Sequence, residues 1–506
     1  MMRPRVLYFA VFVFFSLSGG RFTATFLEHE LRFTESWMVS GAMAVELLSS
    51  TLFSSWLGGV ADSWEASKGG KNKGRLLVMT FGMLLSTIAT LLHSLGSAWM
   101  HLNTEHTGNG FSNISEISVN STDYPSSQPS VSMPILAYHL FLRALFAMGK
   151  AGIMPVLDGL TLAQLEREGR DRQEYGKERV YGAVSWGIAH ILFGPAIDFF
   201  GYKTLYATII LSFTGCMITF YLYAKASSAN SNEYIGVIEV ADSVDLADEK
   251  KCSEEVIAAI KQTQKETREY QSITSFEEDD FFGNGVDSAN DENSKEKLTL
   301  SLITSLLLEK APILNVSYII CLFSLYIGMS VVESLIFLYF EFLGGSNTMC
   351  GFTVSVTVLF ELPLFHFAPD VLKWLGSPVS MLPWAAAAYI IRVIGYSFIP
   401  QSHPYWVLLF EPLHGITIAF ALTSSVAVVD SWVPKGYEAS GQGLLSMIRG
   451  LGMFVGFCIA GYIDGRTMYR VLAAIVTVGV SILGIGHHYS KPKKENQLDE
   501  AAVEIT

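Results

Sequence analysis

The sequence predicts an all-α membrane protein with twelve transmembrane helices in two pseudo-symmetric six-helix bundles. Half of the 506 residues are hydrophobic and only 16% are charged, whereas a soluble protein carries about a quarter charged residues. The apolar residues form repeated runs longer than about 18 residues, and each run can cross roughly 30 Å of hydrocarbon as a helix. Strand-like alternation of apolar and polar residues is not found in the sequence, which argues against an outer-membrane barrel.

The apolar runs follow one another along the chain. The first begins after Arg3 and Arg5 and could be a cleaved signal peptide, but apolar residues resume over 22–27, which favours a retained first helix. The predicted spans are residues 5–27, 36–60, 75–99, 134–162, 179–199, 204–224, 312–341, 349–369, 379–399, 405–431, 443–463 and 468–488.

One long polar segment divides these spans into two groups. Residues 225–310 are rich in Ser, Asn, Asp and Glu, and such a composition cannot bury a core and is typical of disorder. We therefore predict an N-terminal six-helix bundle over 1–224, a cytoplasmic disordered acidic linker over 225–310, a C-terminal six-helix bundle over 311–489 and a cytoplasmic tail over 490–506.

The charges of the short loops predict the orientation. Lys and Arg residues are concentrated in one alternate set of loops and at both ends of the chain, so both termini are predicted to be cytoplasmic. The loop 101–132 has no Lys or Arg and contains two N-glycosylation acceptor sequences, at Asn113 and Asn120. The sequence thus predicts a multi-pass glycoprotein of a eukaryotic plasma membrane or endomembrane.

Two short segments, after the second and the eighth span, resemble each other. The first runs from Gly58 to Asp62 and precedes a group of basic residues, and the second contains Asp370 and Lys373. Both are predicted to be cytoplasmic turns at the same place in each half. Parallel repeats of this kind put a solute site near the membrane midplane, between the halves.

These turn motifs resemble the signature of the major facilitator superfamily. Further motifs are similar to its lactose-permease-like branch of oligosaccharide and nucleoside:proton symporters. They are Pro155-Val-Leu-Asp158, the segment from Tyr175 to Trp186, Arg392-Val-Ile-Gly395-Tyr-Ser-Phe398 and Leu409-Phe-Glu411-Pro-Leu-His414. The resemblance implies a secondary transporter that works by alternating access.

Charged residues within the predicted spans are the candidates for function, because an ionised side chain in hydrocarbon costs at least a few kcal/mol and needs a partner, water or a role. They are Arg21, Glu46, Arg143, Lys150, Asp158, Glu333, Glu361, Arg392, Glu411, His414 and Arg449.

Asp158, Arg179 and Trp186 are candidates for solute binding. A facing carboxylate and guanidinium can hold sugar hydroxyls, and an indole packs on the apolar face of a sugar ring. The resemblance implies that these positions match the sugar site of lactose permease. Alternatively, Asp158 and Arg179 pair at the ends of two adjacent helices and Trp186 belongs to the core. Glu361, in the eighth span, is a further candidate for solute binding.

Arg392, Glu411 and His414 are candidates for proton coupling. Glu411 and His414 are three residues apart and share a helix face, and a buried carboxylate near an arginine can change protonation as solvent access changes. The resemblance matches Arg392 and His414 to the proton-handling cluster, but Thr417 replaces its carboxylate, so uniport stays open. Glu333 and Arg449 are predicted to form a structural charge pair.

The sequence therefore predicts a secondary active transporter of a small polar solute, either a sugar or oligosaccharide or a nucleoside-like molecule, with or without coupling to protons. Two alternatives remain. The cations Arg21, Arg143 and Lys150 would suit an organic-anion uniporter, and the glycosylated outer loop would suit a non-transporting receptor or scaffold. The sequence has no Walker-type loop and no catalytic triad pattern. We expect no enzyme activity, cofactor, metal or nucleic-acid partner, and a monomer in the lipid bilayer.

Overall fold

The computed structural model describes residues 3–67, 72–108, 131–170, 175–243, 311–432, 438–463 and 465–490. Within these ranges the regular structure is helical and contains no strand. The glycosylation acceptors Asn113 and Asn120, residues 244–310 of the predicted linker and residues 491–506 of the predicted tail lie outside the described residues. The described residues of Met2–Ala224 and Leu306–Thr506 form one compact unit.

The first part of the chain, up to residue 243, supplies the helices of the first six predicted spans. They are α1 (Arg5–Leu17), a 3-10 turn (Gly20–Phe22), α2 (Thr23–His29), α3 (Ser36–Ser67), α4 (Lys73–Gly108), α5 (Met133–Ala151), α6 (Ile153–Arg167), α7 (Tyr175–Phe200) and α8 (Thr204–Ser243). Helix α8 continues beyond the predicted span, through Ser243, into the first residues of the segment that the sequence predicts to be a linker.

The second part, from residue 311, supplies the remaining helices. They are α9 (Pro312–Ser334), α10 (Ile336–Phe342), α11 (Asn347–Leu375), a 3-10 turn (Pro378–Ser380), α12 (Met381–Phe398), a 3-10 helix (Pro404–Leu409), α13 (Pro412–Trp432), α14 (Glu438–Ala460) and α15 (Gly465–Tyr489).

These helices confirm the predicted all-helical membrane fold. Among the described residues, ten helical segments are long and apolar enough to cross a membrane, and Leu444–Ala460 is a shorter apolar helix. Helix α3 occupies the predicted second span but carries Glu46 and several serines, which lower its hydropathy. Large apolar side chains remain exposed on the helix surfaces, including Leu52, Phe199 and Trp374, as expected where lipid rather than water is the solvent. The chain is a multi-pass integral membrane protein.

Glycines break the first span in the middle. Gly19 and Gly20 have φ angles of +125° and +49°, in the region that glycine enters without steric cost. A Cβ on Gly20 would lie 2.8 Å from the His190 ring nitrogen Nε2. The break turns the chain into the short 3-10 turn that carries Arg21, and this places a charged residue in the interior without a regular helix around it.

Small residues allow α7 and α11, from the two parts, to pack closely. A Cβ on Gly194 would collide with the Asn347 carbonyl, and one on Gly351 would collide with the His190 carbonyl. Ser355 Oγ donates to the Gly187 carbonyl at 2.8 Å across the same contact.

The two ends of the protein are named as follows. The far end is the one at which α7 ends and α11 begins, and the near end is the one at which α1 begins.

Candidate functional site

Five side chains form a continuous chain of contacts between the two parts of the protein. We call Arg21, Glu333, His414, Arg392 and Glu411 the central charge network. Arg21 donates to Glu333 Oε2 at 3.0 Å, and His414 Nε2 lies 2.9 Å from Glu333 Oε1. On its other side His414 contacts Arg392, which donates to Glu411 at 2.9 Å. Because Arg21 comes from the first part and the other members come from the second, the network links the two.

Glu411 is held by three donors in the interior. Arg392 and Glu411 are 0% and 1% exposed. Tyr396 donates to Glu411 Oε1 at 2.5 Å, and Thr357 donates to Oε2 at 2.7 Å. A buried ion pair is stable only when further hydrogen bonds satisfy its remaining polar atoms, and these two hydroxyls do so. The structure thus brings Arg392, Glu411 and His414 together as the sequence predicted, but it leaves Glu411 almost inaccessible to solvent.

The contacts of His414 fix where its proton lies. Arg392 Nη1 is 2.5 Å from His414 Nδ1, and a guanidinium can only donate. Nδ1 is therefore the acceptor, and the neutral ring carries its proton on Nε2, an assignment made from this shorter contact. Arg21 Nη2 also lies 3.4 Å from Nε2, but it donates to Glu333 Oε2 at 3.0 Å. Nε2 faces Glu333 Oε1, a buried oxygen for which no well-aligned hydrogen-bond partner is found in the described part of the chain. Glu333 is thus less completely satisfied than Glu411.

The predicted pair between Glu333 and Arg449 is wrong. Glu333 pairs with Arg21 and contacts His414 instead. The Arg449 guanidinium lies 5.5 Å from the centre of the Tyr326 ring, and Arg449 is exposed. The reason is the glycine break in the first span, which brings Arg21 to the end of α9, where Glu333 is located.

A small cavity lies beside the network, between the two parts. Its volume is about 210 Å³. The first part lines it with Glu46, Ser50 and Lys150, and the second part with Glu333 and Phe457, among others. We call it the central cavity. Glu333, with a side chain 30% exposed, is therefore the member of the central charge network that lines the central cavity.

The three cations of the first part are in contact with carboxylates. Arg21 pairs with Glu333. Arg143 bonds Glu46 very closely, and Lys150 lies 3.7 Å from the same carboxylate. The cavity wall is therefore less electropositive than the sequence alone suggested.

Asp158 and Arg179 are near each other, but not as the predicted facing pair. Tyr8 donates to Asp158 Oδ1 at 2.6 Å, while Arg179 donates to the Tyr175 hydroxyl at 3.4 Å and lies against its ring. Asp158 interacts electrostatically with both Tyr175 and Arg179. Neither tyrosine was a candidate for the site in the sequence analysis, since Tyr8 is one of many aromatic residues in its span and Tyr175 was noted only as the start of a motif.

Trp186 and Glu361 lie near the central region. The Trp186 ring is 4.4 Å from the ring of His190 and also contacts the edge of Phe12. Glu361 is half-buried on α11, with its backbone against Gly415 of α13, and it interacts electrostatically with Glu333.

The turn motifs differ from their prediction. Residues 58–62, including Gly58 and Asp62, are part of α3, which ends only at Ser67, and Asp370 is in α11, which ends at Leu375. Because both helices extend beyond the motifs, the turns come later in the chain. Asp370 is exposed and pairs with Lys373 at 3.5 Å. No group of three or more possible metal ligands occurs within the described ranges.

The far end contains a polar contact between the two parts that the sequence analysis missed. Asp198, in the last turn of α7, accepts from the backbone and side chain of Asn347, both at 3.0 Å, and from the backbone and hydroxyl of Thr348, at 2.7 and 2.6 Å. The Tyr202 hydroxyl lies 2.8 Å from Asn347 Oδ1 and 2.5 Å from Glu341 Oε1, so its single proton is shared between these two acceptors. We call these contacts the far-end latch. The sequence feature that could have indicated this contact is an aspartate at a helix C-terminus, where a negative charge is unfavourable unless it has a partner.

The fold is similar to those of several solved transporters. It matches the nucleoside transporter NupG at 14% identity and a TM-score of 0.55, covering 97% of this chain and 98% of that one. A mutant of the peptide transporter POT in complex with alafosfalin matches at 11% identity and a TM-score of 0.56, over 96% and 94% of the two chains. The xylose transporter XylE from E. coli matches at 12% identity and a TM-score of 0.51, over 97% and 98%.

These likenesses show the fold alone. A family model, described as the MFS_1 like family, matches residues 5–471. The chain therefore belongs to the MFS_1 like family, whose fold is that of major facilitator transporters rather than of enzymes.

Proposed function

We propose that this protein is a secondary transporter that moves a small polar solute by alternating access, and that it couples this movement to protons through Glu333. The observation that carries the proposal is the bond between Arg21 of the first part and Glu333 of the second, beside a cavity lined by both parts. A charge pair that crosses the interface must change when the two parts rock, so it can link solute movement to protonation.

Glu333 is a better candidate for proton exchange than Glu411. Glu411 is 1% exposed and is held by Arg392, Tyr396 and Thr357. Protonation there would leave the buried Arg392 without its anion, which is strongly unfavourable. Glu333 lines the cavity, and its Oε1 faces the proton of His414. Arg392, Glu411 and His414 then hold this site in place, with the Nε2 proton of His414 directed at Glu333.

The predicted orientation makes the far end extracellular. Among the described residues, the hydrogen bonds between the two parts lie at the latch, beside it between His29 and Glu341, or in the middle of the spans. This arrangement favours a state that is closed on the outside and open to the cytoplasm. On this proposal, Asp158, Arg179, Trp186 and Glu361 contribute to binding a small polar solute that enters from the near end.

The test is solute uptake by the purified protein in proteoliposomes, with and without an imposed proton gradient. A panel of labelled sugars, nucleosides and small carboxylates is expected to contain a solute that accumulates only with the gradient. Glu333→Gln should abolish accumulation while solute exchange continues, because exchange needs no net proton movement. Glu35→Gln, at an exposed carboxylate outside the site, is the matched control.

Two results would count against the proposal. If no solute of the panel moves, transport of these classes is refuted. If Glu333→Gln still accumulates solute like the wild type, Glu333 is not the proton-exchanging group, although transport itself stands.

A further inference from the structure

On the wall of the central cavity that the first part supplies, the positive charges outnumber the negative ones. Arg143 and Lys150 share the single carboxylate of Glu46. Arg143 is 1% exposed and makes the closer contact with it. Lys150 is left 3.7 Å from the nearer Glu46 oxygen, beyond the 2.7–2.9 Å that is usual for a charged N–H···O bond. This wall therefore carries one positive charge that the protein only partly compensates.

The remaining contacts of Lys150 are weak. Its ammonium lies 5.2 Å from the centre of the Phe15 ring and 5.5 Å from that of Phe146. These are cation–π contacts, which leave its three N–H donors able to bond a ligand. The side chain is 35% exposed and lines the cavity. A charged residue with such incomplete compensation in a membrane span is expected to have a functional partner.

The opposite wall is neutral and partly apolar. Glu333 is compensated by Arg21, and Ser334 adds a hydroxyl. Met453 and Phe457 supply apolar surface. The cavity of about 210 Å³ has room for a small solute.

We infer that the central cavity binds a small solute with a single carboxylate, held by Lys150, and with an apolar or hydroxylated body against the second part. The inference rests on the proposed transport function and names the class of its solute. The solute carboxylate replaces the long contact between Lys150 and Glu46, and Glu46 stays compensated by Arg143. Because the solute touches both parts, its binding favours their closure around it.

The test uses the purified full-length protein in nanodiscs, with binding measured as ligand-induced thermal stabilisation and by competition. The probes are acetate, L-lactate, butyrate and benzoate, and each is compared with its neutral amide. At least one carboxylate is expected to bind ten times more tightly than its amide. Lys150→Gln should weaken this binding tenfold or more, Lys150→Arg should restore part of it, and Lys373→Gln, at an exposed lysine, should leave it unchanged.

A second variant gives an effect of opposite sign. Glu46→Gln removes the carboxylate that competes for Lys150 and should tighten carboxylate binding. If the Glu46–Lys150 contact is only structural, Glu46→Gln and Lys150→Gln should both weaken binding. Equal binding of carboxylates and amides, or unchanged binding in Lys150→Gln, overturns the inference. If proteoliposomes then still transport a neutral sugar or nucleoside, the transport proposal stands and only the solute class is wrong. If Glu46→Gln does not fold, the comparison of Lys150→Gln with Lys150→Arg still decides.

Discussion

Removing the Asp198 carboxylate should open the far end of the protein. Asp198 accepts four hydrogen bonds from Asn347 and Thr348, the first two residues of α11. It adds a cap from the opposite part of the protein to the N-cap Ser346, whose hydroxyl accepts from the Met349 backbone N–H. In Asp198→Ala these donors lose their charged acceptor in the closed state. In the open state the two helices are apart and the loss has no effect. The substitution therefore destabilises only the closed state.

The size of the effect can be worked out from the contacts. A helix cap contributes about 0.5–2 kcal/mol, and a negative charge at a helix N-terminus adds about 0.3–1 kcal/mol. The site is exposed to water, so we take a total of about 2 kcal/mol rather than the full strength of four charged bonds. Since about 1.4 kcal/mol is a factor of ten, the closed-to-open ratio should fall about thirtyfold. Thr348→Val, which removes one donor, should lower it by about fivefold, corresponding to about 1 kcal/mol.

The assay is a distance distribution between spin labels on the two parts at the far end. Labels at Lys203 and Ser402, both exposed, are attached in a background with the native cysteines replaced by serine. The long-distance population should grow in Asp198→Ala and grow less in Thr348→Val. Asp370→Ala, at an exposed carboxylate elsewhere in the protein, is the control. A distribution identical to wild type in Asp198→Ala would show that the latch does not stabilise the closed state.

Three further predictions concern the interior. Glu411→Gln should lower the free energy of unfolding by about 3–5 kcal/mol, because it leaves Arg392 buried without its anion, and a melting temperature within a degree of wild type would contradict this. Gly20→Ala should destabilise the protein by about 1–2 kcal/mol, because it combines a left-handed φ with a Cβ 2.8 Å from His190. Gly169→Ala has a left-handed φ of +62° but open space around the Cβ. Comparing the two variants in a thermal melt therefore separates the backbone strain from the steric clash. Arg449→Ala should keep wild-type uptake, whereas Arg21→Ala should lose gradient-driven accumulation. If Arg449→Ala loses accumulation and Arg21→Ala keeps it, Arg449 rather than Arg21 is the functional partner of Glu333.

Much of the fold could be predicted because the membrane restricts what a span can be. Every predicted span contains helix, since a backbone in lipid must satisfy its own hydrogen bonds. The trio Arg392, Glu411 and His414 could also be predicted, because charges in apolar runs are rare and two of the three are close in sequence.

The partners of the charged residues could not be predicted in the same way. Tyr396 and Thr357, which complete the site of Glu411, are neutral hydroxyl residues with no distinguishing pattern. The partner of Glu333 depends on a backbone break. Gly19 and Gly20 are visible in the sequence, but the direction in which they turn Arg21 is set by packing against His190 and Glu333. A sequence shows which charges need partners, whereas the choice among several partners is made by tertiary geometry.

The position of Arg21 has a consequence for the proposed mechanism. The Arg21–Glu333 bond belongs to a state in which the first and second parts are close together. Protonation of Glu333 removes its charge and therefore weakens this bond, so the separated state binds the proton more tightly than the closed one does. By thermodynamic linkage, the factor by which protonation favours separation equals the factor by which separation favours protonation. If Arg21 and Glu333 supply that coupling, then Arg21→Gln should remove the effect of pH on the far-end distance distribution while leaving Asp198→Ala able to widen it.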